Sequence, residues 1–408
     1  MKKTVIRFPA SVQYVYGKLK DAGYEVYLVG GSVRDALLGI PVHDYDLTTN
    51  ALPEEMRAVF ASDHLIPTGE KHGTMTVRAA GENVEVTTYR TDGQYNDHRH
   101  PSGVHFTASL REDLSRRDFT INALAYDPKT GILDLFGGEE DLRKGILRAV
   151  GNAETRFEED ALRILRGLRF IARFGLECEP ETAGAMRKKK ELLSYLSAER
   201  VWNELQGIFK GVYGDKTVRE YADILQVVLP EGELLNADFE NCPEDAEVRT
   251  AKILRKETEE TVAAVCRRLK MSGKSSAHIR RVHALLNEKE LSDPAKIRFL
   301  RVHYPEEDMK DVLDMRINEP GITEARYEWE SLVKNGVIRS LKELDADGND
   351  LKDAGIPAEK IGKTLEKLLE LVLEEKIENK KSVLTDTALR LYQTETEVTG
   401  GHHDDAGQ

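Results

Sequence analysis

Residues 27–49 read YLVGGSVRDALLGIPVHDYDLTT, and this stretch decides the fold that the chain is expected to adopt. An apolar segment stops at Gly30-Gly31-Ser32, and a short helical pattern follows over residues 33–38. Gly39 stands where a glycine commonly ends a helix. A glycine turn that leads into a helix offers free backbone N–H groups and a favourable dipole to a phosphate. The stretch therefore predicts a strand, a turn and a helix that together can receive a phosphate.

Two carboxylates separated by one residue follow this helix, at Asp44 and Asp46. If they lie in a strand, both point to the same face, because side chains alternate along a strand. Carboxylate oxygens suit Mg²⁺, and two such ions can clamp an in-line phosphoryl transfer. A Gly-Gly turn alone is usually only a turn, and Asp-x-Asp alone is often a solvated strand edge. Their ordered combination predicts a nucleotidyl-transfer site.

The segments GGSVRDALLG and HDYDLTT resemble the head motif of the class II tRNA nucleotidyltransferases. This family includes CCA-adding enzymes and bacterial poly(A) polymerases and belongs to the DNA polymerase β superfamily. The resemblance implies an α+β chain, in which a polymerase β-like nucleotidyltransferase head with a mixed sheet precedes an all-α neck, body and tail. It also implies that Asp44 and Asp46 are catalytic and bind Mg²⁺, and that Gly31, Ser32 and Arg34 receive the triphosphate.

Length and composition predict a soluble protein of two to four domains. The chain has 408 residues, of which 40% are hydrophobic and 32% are charged. No apolar run approaches the roughly 20 residues that a membrane span needs, and no signal-peptide core follows the basic start. The three cysteines are scattered and form no CxxC pair, which argues against structural zinc. We therefore expect a cytoplasmic protein with no membrane partner.

The net charge of −13 is unfavourable for a nucleic-acid binder, because phosphate neutralisation drives such binding. Net charge, however, says little about local fields. Basic clusters concentrate after residue 150, where each one alone is typical of a solvated helix face. The clusters are Arg187–Lys190, Lys252–Lys256, Arg267–Lys270, Arg280-Arg281 and Arg301. Together they permit a basic track for RNA without establishing one.

The character of the sequence changes near residue 145, where β-branched alternation gives way to helical periods. The expected domains are the head (1–145), a nucleotide-selecting neck (146–210), a body (211–335), a tRNA-binding tail (336–395) and a disordered terminus (396–408).

A hairpin predicted over residues 73–89 carries a candidate third carboxylate, Glu85. Glu85 would lie on the opposite strand face from Val84 and Val86, beside the strand of the Asp pair, where it could support the metal ions. An ordinary solvent-facing residue is the alternative. The surrounding segments GEKHGTMTV and VEVTTYR resemble the CCA-adding branch of the family.

Residues 91–104 carry no apolar period and are expected to form a long loop. Within it, the segment Asp97–His100 resembles the family's flexible loop, which accompanies the switch from adding C to adding A. A metal site at His98 and His100 is not expected, because no cysteine or carboxylate framework accompanies them.

The segment LSRRDFTINALAY (residues 114–126) resembles another family motif. The resemblance implies that Arg117 contacts the triphosphate and Asp118 the ribose, with Asn122 in support. An arginine fork suits phosphate, and a carboxylate accepts from a ribose hydroxyl. Arg116 could serve in either place. Apart from the family, this segment could simply begin a helix.

The segment FEEDALRILRGLRFIARFG (residues 157–175) predicts one amphipathic helix with Asp160 and Arg163 on a shared surface and Arg166 and Arg169 further round. An i,i+3 ion pair is the simple interpretation. EDALR also matches the family's EDxxR motif, which implies that Asp160 and Arg163 read the Watson–Crick edge of CTP or ATP. A carboxylate can accept from the exocyclic amine that C and A share, and arginine can donate to a ring nitrogen or carbonyl. Arg166 and Arg169 complete the predicted nucleotide-binding set.

A later segment, SAERVWNELQGIF (residues 197–209), predicts a supporting helix in which Trp202 is core and Arg200 pairs with Glu204.

These motifs predict a template-independent tRNA nucleotidyltransferase that adds C, C and A to the tRNA 3′ end from CTP and ATP. A CC-only enzyme, an A-only enzyme and a poly(A) polymerase are the nearest alternatives. A catalytically silent RNA-binding protein and a small-molecule nucleotidyltransferase are the alternatives from other classes. A homodimer is left open.

Overall fold

The computed structural model describes residues 5–93 and 104–400, apart from the side chains of Thr68, Asp92 and residues 395–400. The chain forms two compact units. The first comprises Met1–Phe239 with Glu244–Ser276, and the second comprises Glu240–Pro243 with Ala277–Gln408.

Short strands alternate with helices in the head, and helices follow almost without interruption. The strands are β1 (Val26–Val29), β2 (Leu47–Thr49), β3 (His64–Gly69), β4 (Thr74–Ala79), β5 (Glu82–Thr88), β6 (Arg90–Asp92), β7 (Val104–Phe106), β8 (Leu124–Asp127), β9 (Gly131–Asp134), β10 (Ile146–Leu147) and β11 (Glu177–Cys178). The helices up to residue 225 are α1 (Ala10–Asp21), α2 (Gly31–Leu37), α3 (Pro53–Val59), α4 (Leu110–Ser115), α5 (Gly138–Lys144), α6 (Ala153–Glu159), α7 (Leu162–Phe174), α8 (Pro180–Lys189), α9 (Ala198–Lys210), α10 (Gly214–Glu220) and α11 (Ala222–Leu225). The later helices are α12 (Ala246–Ile253), α13 (Glu259–Arg268), α14 (Gly273–Leu286), α15 (Ile297–His303), α16 (Glu306–Met315), α17 (Ile322–Lys334), α18 (Gly348–Asp353), α19 (Ala358–Leu373) and α20 (Lys381–Gly400). Short 3₁₀ turns lie at Glu70–His72, Thr120–Asn122, Lys190–Tyr195, Lys289–Ser292, Pro294–Lys296 and Leu341–Glu343.

The head is built on a mixed seven-stranded sheet in the order β3-β4-β5-β2-β1-β8-β9. Strand β1 pairs antiparallel with both β2 and β8, while the central strand β2 runs parallel to β5. Helix α1 packs Val12, Val15 and Leu19 into the core of this sheet. The mixed sheet and the helical remainder confirm the predicted α+β class.

The segment of the Asp pair differs from a regular strand, because β2 begins only at Leu47. Asp44 and Asp46 therefore precede the strand. The backbone N–H of Val29 still donates to the carbonyl of Asp46 at 3.0 Å, so pairing with β1 extends to this residue. The segment is held at the end of β1 and remains outside the regular ladder.

The prediction of one helix over residues 157–175 is wrong in one respect. The segment contains two helices, α6 and α7, and the chain breaks between them at Asp160. Asp160 is extended (φ −141°, ψ 103°), and its Oδ1 accepts from the backbone N–H of Leu162 at 3.1 Å. Asparagine and aspartate favour such helix starts because the side chain satisfies an otherwise free donor. Asp160 and Arg163 therefore do not share one continuous helix surface.

The second unit has its own apolar core, to which α19 contributes. Leu368, Leu369 and Leu373 are buried there together with Leu351 and Leu384. Within the described residues, no helix is long and apolar enough to cross a membrane.

Candidate active site

A pocket of about 450 Å³ opens in the first unit, where the turn after β1 faces α7. It gathers nine of the twelve predicted site residues. These nine are Gly31, Arg34, Asp46, Arg117, Asp118, Asp160, Arg163, Arg166 and Arg169. Ser32, Asp44 and Glu85 do not line it. Ser32 is buried, and its hydroxyl donates to the carbonyl of Val29 at 3.3 Å.

The glycine turn brings the backbone close to Arg117. Gly30 has a φ of +72°, and a Cβ added there would lie 2.9 Å from Arg117 Nη1. Arg117 reaches the Asp113 carboxylate only at 3.5 Å, and its buried Nε has no partner among the described residues. Arg116, in contrast, binds Asp113 at 2.7 Å and the carbonyl of Arg90 at 3.1 Å. Of the two adjacent arginines, Arg117 thus retains donors at the pocket.

Arg34 is buried, and protein partners already occupy its guanidinium. It donates to Asn122 Oδ1 at 2.5 Å and, through Nε, to Asp35 Oδ1 at 2.8 Å. Its Cζ lies 5.1 Å from the ring centre of Phe170 and 5.0 Å from that of Phe174. Burial lowers the pKa of this guanidinium, although Asp35 opposes the shift. Arg34, which was predicted to bind the triphosphate, thus bonds mainly to other groups of the protein.

Asp118 accepts four hydrogen bonds in the pocket. One oxygen accepts from the Phe119 N–H at 2.8 Å and from Asn122 Nδ2 at 3.0 Å. The other accepts from Arg166 Nε at 2.9 Å and Nη2 at 2.7 Å. Burial alone would raise the pKa of Asp118, but the Arg166 charge and these bonds hold it below its ordinary value. The carboxylate is ionised and fixed in place.

Asp46 forms the acidic side of the pocket, and Asp44 and Glu85 act on it electrostatically from outside the pocket lining. Asp46 has accessible surface in the open pocket, yet protein surrounds its carboxylate closely. This desolvation and the negative charges of Asp44 and Glu85 raise its pKa to about 6, against the opposing charge of Arg117. Glu85 lies on the face of β5 opposite the buried Val84 and Val86, as predicted. Its charge acts on Asp46, but nothing places it at a metal.

Asp160 and Arg163 line the same wall, but each has a different partner from the one predicted. Asp160 Oδ2 accepts from Arg200 Nη2 at 2.8 Å. Arg163 Nη1 donates to Glu159 Oε2 at 2.6 Å, and Nη2 donates to the carbonyl of Arg116 at 3.0 Å. The expected i,i+3 ion pair between Asp160 and Arg163 does not form. Each side chain is instead oriented by its own partner: Arg200 for Asp160, and Glu159 with the carbonyl of Arg116 for Arg163.

Arg200 does not pair with Glu204, so that prediction is wrong. Glu204 accepts from Arg169 Nε at 2.6 Å, while Arg200 turns to Asp160. Helix α9 thus supports α7 through the ion pair of Glu204 with Arg169, and the end of α6 through the ion pair of Arg200 with Asp160. Trp202 is buried, as predicted.

The predicted residues left out Leu162, Phe170 and the pocket-facing role of Arg200. Phe170 lies under the guanidiniums of Arg166 and Arg169, at 5.7 and 4.7 Å from its ring centre. The sequence could have indicated Phe170, because it is an aromatic residue that follows Arg166 and Arg169, two arginines at helical spacing. The segment Asp97–His100 lies outside the described residues.

The basic clusters are largely paired with carboxylates. Lys188 binds Glu154 at 2.8 Å, Lys190 lies 3.3 Å from Asp223, and Lys270 binds Glu199 at 2.7 Å. These contacts match the interpretation of each cluster as a charged helix face. They offer no separate evidence for an RNA track.

Comparison with known sequences places family domains along most of the chain. The model of the poly(A) polymerase head domain matches residues 26–148. A probable RNA- and SrmB-binding site of polymerase A matches residues 175–235, and tRNA nucleotidyltransferase domain 2 matches residues 244–388.

Known CCA-adding enzymes resemble the chain in sequence and in fold. The chain is 49% identical to the CCA-adding enzyme of Oceanobacillus iheyensis over 202 residues, so it spans about half the length of that relative. It is 37% identical to that of Lactobacillus helveticus over 373 residues, which cover 88% of this chain and 92% of the relative. The crystal structure of the Bacillus stearothermophilus CCA-adding enzyme in complex with CTP superposes with a TM-score of 0.73 at 29% identity, covering 95% of this chain and 98% of that one. Together with the pocket, these similarities show that the chain belongs to the family of CCA-adding enzymes.

Proposed function

We propose that this protein adds C, C and A to the 3′ end of tRNA, using CTP and ATP and releasing pyrophosphate. One observation carries the proposal: the turn at Gly30-Gly31, the carboxylate of Asp46 and the pair Asp160 and Arg163 meet in one pocket of a family member. The pocket's volume of about 450 Å³ is within the range common for small-molecule sites.

The base is selected at the α7 end of the pocket. Asp160 keeps its carboxylate oriented through Arg200 and Leu162, and it would accept from the exocyclic amine of C or A. Arg163 would donate to the neighbouring ring nitrogen or carbonyl. U and G present the opposite polarity at this edge and would leave buried polar groups unpaired.

The triphosphate is received at the opposite end. Arg117 places its Nη1 beside the turn of Gly30 and Gly31, and backbone N–H groups at the start of α2 would complete the cradle. Asp118 would orient the ribose. Because its four acceptor positions are used, a ribose hydroxyl must share or displace the Arg166 bonds. Arg166, Arg169 and Arg34 act in this proposal mainly by holding other groups.

The acidic residues fit a divalent cation. Carboxylate oxygens suit Mg²⁺. The pKa of Asp46 is raised first by desolvation and then by the negative charges of Asp44 and Glu85, and a bound cation would offset both effects. When bound by Asp44 and Asp46, Mg²⁺ would supply charge stabilisation to the attacking 3′-hydroxyl and to the leaving pyrophosphate. Glu85 would contribute negative charge nearby.

The remaining predictions complete this proposal. The helices after residue 210 would hold the tRNA. The domain boundaries given above remain predictions, except that α20 continues through residues 396–400, which were expected to be disordered. A cytoplasmic location and a homodimer are also proposed. Light scattering at several protein concentrations would test the dimer.

Asp44→Ala tests the acidic site. We expect nucleotide transfer to fall to background while tRNA binding stays within about twofold, because only the reaction needs the cation. Asp21→Ala, at an exposed carboxylate of α1, serves as the control and should transfer normally. Extension assays and filter binding with each variant would measure both properties. Normal transfer by Asp44→Ala would refute the metal assignment.

A further inference from the structure

An aromatic clamp joins the phosphate-receiving helix to the base-reading helix. The rings of Phe170 and Phe174, both on α7, are nearly parallel at 12°, with centres 6.3 Å apart. The Arg34 guanidinium from α2 lies about equally far from both ring centres, at 5.1 and 5.0 Å. Stacking of a planar guanidinium on aromatic faces is favourable and depends on geometry that a lysine cannot reproduce.

A second connection runs beside the clamp. Asp35, also on α2, binds Arg34 Nη2 at 2.7 Å and lies 3.6 Å from Arg173 on α7. Arg173 in turn stacks over Phe174, at 4.7 Å from its ring centre. The four side chains form a closed ring of contacts between the two helices.

The two helices carry opposite ends of the nucleotide site. Helix α2 begins at Gly31 in the phosphate-receiving turn, and α7 begins beside Asp160 and carries Arg163. The distance between the helices therefore sets the distance between the triphosphate and base positions. An error of about 1 Å in such alignment can cost roughly a hundredfold in rate.

We propose that Phe174, together with Phe170, clamps Arg34 and thereby sets the spacing between the phosphate and base ends of the pocket. This makes Phe174 a positioning residue for the incoming nucleotide, and the inference rests on the function proposed above. In this proposal Arg34 connects α2 to α7 and fixes their spacing. The sequence had instead predicted that Arg34 binds the triphosphate.

The test is a double-mutant cycle between Arg34→Lys and Phe174→Leu, in which kcat and KM for CTP are measured on a tRNA that lacks CCA. Phe174→Leu should lower kcat by roughly 2- to 30-fold, the range expected from losing a stacked cation. KM should change by less than about threefold, because the separate phosphate and base contacts remain. Phe174→Tyr keeps an aromatic ring at this position, so its kcat should stay close to that of the wild type.

Phe174→Leu should slow Arg34→Lys much less than it slows the wild type, because a lysine has no stacked geometry left to lose and only the contact between Arg173 and Phe174 remains. Multiplicative losses, or a wild-type kcat in Phe174→Leu, would overturn the clamp. If Phe174→Leu melts early, Phe174→Met takes its place, with the same expected loss of kcat in the folded protein. If the wild-type protein adds CCA, an unaffected Phe174→Leu rejects the clamp alone. If the wild-type protein extends no tRNA, the proposed function itself fails.

Discussion

Arg163 shows how a buried arginine can be fixed and still retain donors for a ligand. Its Nη1 donates to Glu159 and to the carbonyl of Arg156, and Nη2 donates to the carbonyl of Arg116. These bonds leave the Nε–H and one Nη2–H for a nucleotide edge. The sequence indicated this residue through EDALR, but it did not indicate the carbonyl groups that fix it.

Arg163→Ala should weaken the choice of base more than it weakens the overall rate. Selectivity for CTP and ATP over UTP and GTP should fall roughly tenfold or more, because a well-placed pair of hydrogen bonds discriminates by about 1–3 kcal/mol. The ratio of kcat/KM values measures this without depending on the folded fraction. Arg143→Ala, at an exposed arginine paired with Glu140, should leave the ratio unchanged. Equal discrimination in both variants would exclude the base-reading role.

Asp113 is the buried counter-charge beneath the paired arginines. Its side chain is fully buried and binds Arg116 at 2.7 Å. Burial alone would raise the pKa of Asp113, but the charges of Arg116 and Arg117 hold it below the ordinary value. Because the pKa of Asp113 is lower in the folded protein than in the unfolded chain, its ionisation stabilises the fold at any pH above the unfolded pKa of about 3.9. This stabilisation is lost as the pH falls through the lower pKa of the folded protein.

Asp113→Asn should therefore unfold more easily at neutral pH, by about 3–5 kcal/mol, because it leaves buried cations without their partner. The difference from the wild type should shrink as the pH falls below about 4. Urea denaturation at a series of pH values between roughly 3 and 7 would show the two curves converging. Parallel curves would mean that Asp113 does not titrate in this way.

At the scale of elements, local pattern was sufficient for α2 and the β4–β5 hairpin but not for the break between α6 and α7. No glycine or proline marks this break, and the apolar period continues across it. The break depends on Asp160, which caps Leu162 and is held by Arg200 from α9. Such a contact, 40 residues away in sequence, cannot be read from local periodicity.

Helix α9 can approach α7 closely because Gly211 has no side chain. A Cβ added there would lie 2.5 Å from the carbonyl oxygen of Ala172. Gly211→Ala should therefore lower the free energy of unfolding by about 1–3 kcal/mol, since backbone must move to accept it. The control is Gly184→Ala within α8, where nothing lies within 4 Å and a gain of about 0.5–1 kcal/mol is expected. Equal stability changes in the two variants, measured by urea denaturation, would contradict this packing.

At the scale of the whole molecule, the sequence and its family resemblance predicted twelve site residues, of which nine line one pocket, while the structure supplied their partners. The pairs Arg166–Asp118, Arg169–Glu204 and Arg200–Asp160 join segments 35 to 48 residues apart. Their formation depends on how the helices pack, which single-chain patterns do not encode. The basic clusters likewise proved to be paired with acids contributed by other helices.

The most direct test of the central claim is extension of tRNAs that end at the discriminator base, at C or at CC. Each would be incubated with the purified protein, Mg²⁺ and CTP, ATP or both, and the products resolved to single nucleotides on a gel. With CTP and ATP together, every substrate should be completed to CCA and then stop. CTP alone should carry the first two substrates only to CC, and ATP alone should add one A to the tRNA that ends at CC. With both nucleotides present, addition of C alone, of A alone or of an unbounded run of A would contradict the proposed function, as would no extension at all.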